Sequence, residues 1–352
     1  MNEGLLRELT QADGIPAHED SVRDIVAHHM RPLVDELRID ALGNLIGRRR
    51  GAGGPRIAVA AHMDEIGFLV SHVDEKGFLR LQPVGGFDPR VLVAQRVRVH
   101  ASSGEIFPGV LQPGVKPKHL LQGEPPSIQM HELFVDIGLP PDRIAGRVSV
   151  GDMVTIRREC EIMGDVVVSK AMDDRVGLYV MLEALRSAGR TDAEVVAVAT
   201  TQEEVGLRGA MTSAHALEAD VAIALDVTIA GDIPGIPTEA AVTRLRSGAA
   251  IKLFDSSHIP HPGLVRHLRD IAEARGIPVQ LEVLPRGGTD AASFQRARAG
   301  IPATTISIPT RYVHTVNEMA AISDIQACVD LLAAFLQEAG QRSYAYSLPG
   351  SA

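Results

Sequence analysis

The chain has 352 residues, of which 45% are hydrophobic and only 3% aromatic, and its formal net charge is −9 at pH 7. The length allows one large core and a smaller second module, whereas the negative charge and the scarce aromatic side chains argue against nucleic acids, anionic membranes and aromatic-lined sugar clefts. With two cysteines, no apolar stretch of membrane-spanning length and no evident export signal, the sequence predicts a cytoplasmic protein without disulfides.

The first 61 residues predict a helical start, an exposed loop and a buried strand. Gly14-Ile15-Pro16 breaks the first helical pattern. Arg and Gly are concentrated in the loop over 48–56, and the small apolar run that follows it is typical of a buried parallel strand. The predicted elements are helices at 3–12 and 19–31 and strands at 34–40, 43–47 and 57–61.

The pattern changes between residues 72 and 163. This stretch is rich in Val, Gly and Pro, it contains short alternating segments such as 96–100, and it shows no clear helical spacing. We therefore predict an inserted, β-barrel-like domain over 72–163. Residues 1–71 and 164–352 then form one discontinuous catalytic domain.

Helical and strand patterns alternate again after the insert. Such alternation predicts an α/β fold with a doubly wound, mostly parallel sheet. The predicted helices lie at 174–188, 207–217, 263–275 and 323–340, and the predicted strands lie at 194–200, 221–226, 278–284 and 303–308.

Acidic and imidazole residues follow apolar runs or open a helical pattern at five places along the chain. A parallel sheet presents such side chains at one edge, so we expect them to lie together. Two imidazoles and three carboxylates suffice to hold two divalent ions that share one carboxylate, and one further carboxylate remains for proton transfer. The candidate residues are His62, Asp64, Asp173, Glu203, Glu204, Asp226 and His314.

Each of these motifs also has an ordinary structural interpretation. His62 would suit a surface position with Asp64 as a cap, and one residue of Asp173-Asp174 would suit a helix N-terminus. Glu203-Glu204 would suit a solvated helix start. The hypothesis of a metal site therefore depends on all five motifs together. Of the two adjacent aspartates, we expect Asp173 to be the bridging ligand.

The chemistry that such a site supports is hydrolysis of an amide bond. Three carboxylates and two divalent ions would be neutral with one bridging hydroxide, and the ions would polarise the scissile carbonyl. Glu203 would take a proton from the water and pass it to the leaving amine. Asp64 would accept the second N–H of His62 and fix its tautomer.

The ordered motifs resemble the tetrahedral (TET) aminopeptidases of metallopeptidase family forty-two in clan MH. Some members of that family are labelled glutamyl aminopeptidase, and others endoglucanase or cellulase. The resemblance covers nearly the whole chain. It is carried by the segments His62-Met63-Asp64-Glu65-Ile66-Gly67, Asp173-Asp174-Arg175, Glu203-Glu204-Val205-Gly206, Asp226-Val227-Thr228, Gly287-Gly288-Thr289-Asp290-Ala291 and Pro309-Thr310-Arg311-Tyr312-Val313-His314.

The resemblance implies a role for each site residue. His62 and Asp226 would hold one metal ion, Glu204 and His314 the other, and Asp173 would bridge them. Glu203 would be the general base and Asp64 would orient His62. Zinc or cobalt would be the ion pair.

The resemblance also implies that the insert is a dimerisation domain and that dimers can assemble into a tetrahedral dodecamer. The segments 114–119 and 136–138 are similar to those of the family, whereas Leu139-Pro140-Pro141 departs from its pattern. The substrates would be short peptides with a free N-terminus.

Alternatives to an aminopeptidase are a related di-metal amidohydrolase, such as a deacylase or carboxypeptidase, and more remotely a glycoside hydrolase. Asp290 is expected either to line the substrate pocket or to cap the helix over 291–297. The sequence does not fix the preferred first residue, although Arg244, Arg246 and Arg286 would favour an acidic one if they reached the pocket.

Overall fold

A computed structural model describes residues 1–116 and 127–346, which form a large sheet covered by helices and a smaller closed barrel. The strands are, in chain order, β1 (Glu36–Ile39), β2 (Leu45–Arg49), β3 (Arg56–His62), β4 (Gly67–Val73), β5 (Leu79–Val84), β6 (Arg96–His100), β7 (Ile106–Pro113), β8 (Leu133–Asp136), β9 (Met153–Ile156), β10 (Glu161–Met163), β11 (Val166–Ser169), β12 (Glu194–Thr200), β13 (Val221–Ile229), β14 (Ala249–Phe254), β15 (Val279–Val283), β16 (Ala303–Arg311) and β17 (Glu318–Ala321). The helices are α1 (Glu3–Gln11), α2 (Asp20–Met30), α3 (Pro89–Leu92), α4 (Pro141–Ile144), α5 (Met172–Ala188), α6 (Arg208–Leu217), α7 (Pro262–Arg275), α8 (Ala291–Gln295) and α9 (Ile322–Glu338).

The large sheet has a parallel centre and antiparallel margins. Its main path has the order β1-β2-β12-β3-β13-β16-β17-β11-β10, and β14 and β15 branch from β16. The neighbours β12, β3, β13 and β16 all run in the same direction. This arrangement confirms the predicted α/β class, with parallel pairing among the four central strands and also between β14 and β15.

Helices cover both faces of the sheet because the buried strands are apolar on both sides. In β3, Ile57, Val59 and Ala61 belong to the core under α1, α5 and α9. The alternate residues Ala58 and Ala60 belong to a second core, under α6 and α8. These continuous apolar runs are typical of strands buried between two helical layers.

The β-rich insert forms a closed six-strand barrel in the order β4-β5-β8-β7-β6-β9. Its first strand begins at Gly67, and β10, which ends at Met163, pairs with β11 in the large sheet. The barrel strands begin at Gly67 and end at Ile156. Both ends therefore lie a few residues before the predicted limits of 72 and 163. The segment Pro117-Lys118-His119, which carries part of the family resemblance, lies outside the described residues.

Within residues 1–116 and 127–346, none of the helices combines the length and the apolarity needed to cross a membrane.

Candidate metal centre

The candidate residues gather where the four parallel strands end. His62 is the last residue of β3 and is paired in register with Thr200, the last residue of β12. On the other side of β3, Ala224 of β13 is in register with Ala60. Asp226 and His62 each come two residues later, so they lie side by side on the two neighbouring strands. Glu203 and Glu204 lie three and four residues after the end of β12, and His314 lies three residues after the end of β16. The strand-edge prediction is therefore realised by parallel pairing.

Asp173 lies between the two imidazole rings. Its Oδ1 is 3.0 Å from Nε2 of His62, and its Oδ2 is 3.3 Å from Nε2 of His314. Asp173 has a non-helical backbone (φ −74°, ψ 109°) at the start of α5, which turns its buried side chain toward the sheet edge. Each carboxylate oxygen thus faces a different ring, which is the arrangement expected of a bridging ligand.

Glu204 completes a group of possible ligand atoms. Its Oε1 is 3.4 Å from Nε2 of His314, and ligand atoms of Glu204, His62 and Asp173 all lie within 4.8 Å of one another. Glu204 Oε1 is also buried without a hydrogen-bond partner among the described residues. A buried acceptor without a donor is uncommon in proteins, and carboxylate and imidazole groups suit divalent ions. The residues present therefore fit a metal site.

Asp64 contacts His62 and the Glu203-Glu204 segment with different atoms. Nδ1 of His62 is 2.9 Å from the main-chain oxygen of Asp64 but 3.6 Å from its carboxylate. The carboxylate instead accepts the backbone N–H groups of Glu203 and Glu204, each at 3.0 Å. The expected carboxylate contact to the imidazole is thus replaced by a main-chain contact, because the chain turns so that the carbonyl faces the ring.

The carboxylates repel one another in this site. Burial raises the pKa of Glu203 and of Asp226 well above ordinary values, and the charges of neighbouring carboxylates add to the increase. Burial opposes ionisation of Asp173 too, but hydrogen bonds from His314 and His62 outweigh it and hold the pKa of Asp173 below its usual range. A pair of cations among these groups would offset the repulsion.

Both imidazoles favour the protonated form in the metal-free cluster. Burial alone would lower the pKa of His62, but the hydrogen bond to Asp173 and the negative charges of the nearby Asp64 and Glu203 carboxylates raise it well above the ordinary value. Burial would lower the pKa of His314 too, but the nearby carboxylates of Asp173 and Glu204 raise it to about 12.

A cavity of about 570 Å³ opens beside the cluster. Its wall includes Asp173, Glu203, Glu204, Asp226 and His314. The rest of the wall is formed by Leu207, Val227, Thr228, Ile229, Lys252, Ser256, Ser257, Leu284, Arg286, Gly287, Gly288, Thr289 and Val313. This volume is adequate for the end of a peptide.

The structure separates the three arginines suggested for substrate selection. Arg286 lies on the cavity wall. Arg246 is paired with Asp165, with two contacts of 2.6 Å, and Arg244 bonds the main chain of Thr238 at 3.4 Å, both away from the wall.

Asp290 lies behind the cavity wall and does not form part of it. It is 3% exposed, and its Oδ2 accepts a hydrogen bond from the hydroxyl of Thr200 at the end of β12. Its side chain makes no capping hydrogen bond to α8 within the described chain. The Asp290 carboxylate therefore bonds the Thr200 hydroxyl, whereas the sequence predicted that it would contact the substrate or cap the helix.

Two polar residues near the site were missed by sequence reasoning. Glu318 is buried and accepts the backbone N–H groups of Asp173 at 3.0 Å and of His314 at 2.7 Å. Lys252 is buried on the cavity wall, 2.7 Å from Glu282. Of the two, only Lys252 had a signal in the sequence, because it is a charged residue within the otherwise apolar strand β14.

Comparison with known proteins identifies relatives along nearly the whole chain. The family model described as M42 glutamyl aminopeptidase matches residues 43–331. A putative aminopeptidase of Acetivibrio thermocellus is 39% identical over 93% of this chain and 96% of its own length. Lysyl aminopeptidase of Pyrococcus furiosus is 34% identical over 95% of this chain and 96% of its own.

Solved structures give the same result. An aminopeptidase from the archaeon Desulfurococcus kamchatkensis matches with a TM-score of 0.91 and 42% identity, over 95% of this chain and 94% of its own. The TET1 peptidase of Pyrococcus horikoshii, described as able to assemble into a tetrahedron or a large octahedral shell, matches with a TM-score of 0.85 and 31% identity, over 96% and 99% of the two chains. The chain therefore belongs to the M42 family of aminopeptidases, whose members are metallopeptidases.

Proposed function

We propose that this protein removes single residues from the free N-terminus of short peptides with the help of two divalent metal ions. The observation that carries the proposal is the position of Asp173, whose two oxygens face His62 at 3.0 Å and His314 at 3.3 Å. A carboxylate held between two potential ligands is suited to bridge two ions. Family membership supports the peptidase activity.

The proposed ligands divide into two sets. His62 and Asp226 hold one ion, Glu204 and His314 hold the other, and Asp173 is shared. Asp226 supports this division because it lies level with His62 on the neighbouring strand. Zinc and cobalt are the proposed ions, since imidazole and carboxylate ligands suit both.

Glu203 is the proposed general base. Two divalent ions would, when bound, polarise the scissile carbonyl and lower the pKa of the attacking water. Glu203 lies on the cavity wall, and the Asp64 carboxylate fixes its backbone N–H. It accepts the proton of the attacking water and donates it to the leaving amine.

Metal removal tests the proposal directly. The protein is stripped with a chelator, its metal content is measured by mass spectrometry, and hydrolysis of aminoacyl p-nitroanilides is followed before and after zinc or cobalt is added. We expect activity to be lost with the metal and restored by it, at two ions per subunit at saturation. Activity that persists in metal-free protein would contradict the proposal.

A related di-metal amidohydrolase would use the same ligand set, so the substrate must separate the alternatives. We expect an N-acetylated peptide, which lacks the free amine, to resist hydrolysis, and a C-terminal residue to remain attached. Release of acetate would favour a deacylase, and release of the last residue a carboxypeptidase. The glycoside hydrolase alternative predicts turnover of cellulose or nitrophenyl glycosides, which the aminopeptidase proposal excludes.

The barrel is proposed to mediate self-association. The segment predicted as an insert closes into a separate barrel, and the TET1 peptidase of P. horikoshii, of similar fold, forms closed shells. We propose a dimer through the predicted domain 72–163 and, from dimers, a tetrahedral dodecamer. Light scattering distinguishes a monomer, a dimer and a twelve-subunit particle by mass.

A further inference from the structure

Four consecutive backbone N–H groups lead from β12 to the end of the Glu203-Glu204 pair, and a buried side chain accepts each of them. The N–H of Thr201 bonds Oδ1 of Asn44 at 3.0 Å, and the N–H of Gln202 bonds Oε1 of Glu19 at 3.1 Å. The next two N–H groups bond the Asp64 carboxylate, as described above. The three accepting side chains come from segments far apart in the sequence.

This arrangement replaces sheet hydrogen bonds that the chain has lost. β12 ends at Thr200, so the following N–H groups no longer face a neighbouring strand. Gln202 also has a positive φ of 56°, which is unfavourable for a residue with a side chain unless its surroundings hold it. The three acceptors supply that restraint.

The acceptors are themselves fixed. Asn44, which is fully buried, donates from Nδ2 to Asp40 at 2.7 Å and to the main chain of Gly209 at 3.0 Å. Glu19 is 1% exposed and also accepts the N–H of Ala17 at 3.0 Å and the hydroxyl of Thr201. Because water does not compete at these positions, the hydrogen bonds define one loop geometry.

Glu19 is the N-cap residue of α2, but its carboxylate makes no capping hydrogen bond to that helix within the described residues. Its acceptor oxygen is directed across the molecule to the loop after β12. Oε1 of Glu19 thus bonds the loop, whereas Oε2 lies 3.9 Å from Arg23 of its own helix.

We propose that Glu19 and Asn44 are positioning residues that hold the loop 201–204, and through it the base Glu203, in the geometry that catalysis requires. The inference rests on the proposed role of Glu203. Neither Glu19 nor Asn44 is among the residues that line the cavity. Both therefore act through the backbone of the loop 201–204. A displacement of about 1 Å at a reacting group can reduce turnover by about 100-fold.

The test compares Glu19→Ala with Glu19→Gln, which keeps the acceptor oxygen, and with Asp20→Ala, which removes the adjacent, 85% exposed carboxylate. At equal metal content, we expect Glu19→Ala to lower kcat at least tenfold with KM changed less than threefold. Glu19→Gln and Asp20→Ala are expected to stay within threefold of the unaltered protein. If Glu19→Gln loses as much as Glu19→Ala, the charge of Glu19 is decisive and the positioning role is wrong.

Hydrogen–deuterium exchange gives a readout independent of activity and of metal. In the unaltered protein, amides 201–204 are expected to exchange at least tenfold more slowly than the exposed amides of Gly51 and Gly53, which have no main-chain acceptor among the described residues. Asn44→Ala and Glu19→Ala should accelerate exchange in 201–204 while leaving 194–200 protected. Fast exchange of 201–204 in the unaltered protein overturns the inference even if a variant fails to fold. Absence of activity on every aminoacyl substrate with normal protection would instead count against the proposed function.

Discussion

Glu203 and Glu204 are adjacent carboxylates with different surroundings. Glu204 has an oxygen 3.4 Å from His314, whereas Glu203 forms no ion pair with any residue in the described ranges and lies on the cavity wall. Burial raises the pKa of both residues. These different surroundings support the proposed division, in which Glu204 binds metal and Glu203 transfers the proton.

Replacing Glu203 with Gln tests this division. The amide retains the shape but cannot accept a proton, so we expect kcat to fall by about 10²- to 10⁴-fold while metal content stays near that of the unaltered protein. Glu204→Gln is the matched variant and should lose bound metal, measured by mass spectrometry. Full activity of Glu203→Gln would show that another group is the base.

Arg286 offers a test of substrate preference. It is exposed on the cavity wall and forms no ion pair with a described residue, whereas the charge of Lys252 is offset by Glu282. We therefore expect an N-terminal Glu to be cleaved with a higher kcat/KM than the isosteric Gln. Because the charge is exposed and screened, the advantage should be about two- to fivefold.

Arg286→Glu should abolish or reverse that ratio. Arg269→Glu is the control, since it makes the same charge change on an exposed residue of α7 away from the cavity wall. An unchanged ratio of Glu to Gln turnover in Arg286→Glu would exclude Arg286 from substrate selection without affecting the aminopeptidase proposal.

At the scale of secondary-structure elements, the short strand β17 connects two of the proposed ligands. Glu318, its first residue, accepts N–H groups from Asp173 at the start of α5 and from His314 after β16. Burial raises the pKa of Glu318 to about 8. One buried carboxyl group therefore sets the spacing of two elements that approach the metal centre from different directions.

Glu318→Ala is expected to weaken metal binding by about 10- to 100-fold, the usual effect of removing a group that orients ligands. The measurement is a competition titration with a chromogenic chelator. Glu318→Gln, which retains one acceptor oxygen, should lose less affinity. Equal metal affinity in all three proteins would contradict the orienting role.

At the scale of the whole molecule, the cluster makes the stability of metal-free protein depend on pH. The pKa of Glu318 is raised to about 8, that of His314 to about 12, and that of Asp226 well above its ordinary value. The folded state therefore binds more protons than the unfolded state between about pH 5 and pH 8. Asp173, with its lowered pKa, is ionised in both states over this range and adds no slope.

We expect the melting temperature of metal-free protein to fall as pH rises from 5 to 8, because stability decreases wherever the folded state holds more protons. Metal at 100 times the Kd that applies at pH 8 should add about 2.7 kcal/mol of stability at that pH. The same metal concentration should add less at pH 5, where protons compete for the ligands. Calorimetric scans with and without zinc check both effects. A metal-free melting temperature that rises with pH would contradict the account.

Much of the fold was predictable from local patterns. Apolar runs such as 57–61 and the helical spacing of 174–188 reflect burial between layers, and the structure has a strand and a helix there. Strands β14 and β17 were not predicted. Lys252 interrupts the apolar pattern of β14, and β17 has four residues, too few to establish a period.

The sequence by itself determined which residue types meet at the site, because parallel strands bring their carboxyl ends to one edge whatever their order in the sheet. The tertiary structure decided which atoms meet. Only folding turned the main-chain carbonyl of Asp64, in place of its carboxylate, toward His62, drew Asp290 behind the cavity wall to Thr200, and brought Glu19 and Asn44 to the loop that carries Glu203. The contacts of Asp290, Glu19 and Asn44 join residues more than 80 positions apart, and no local pattern encodes them.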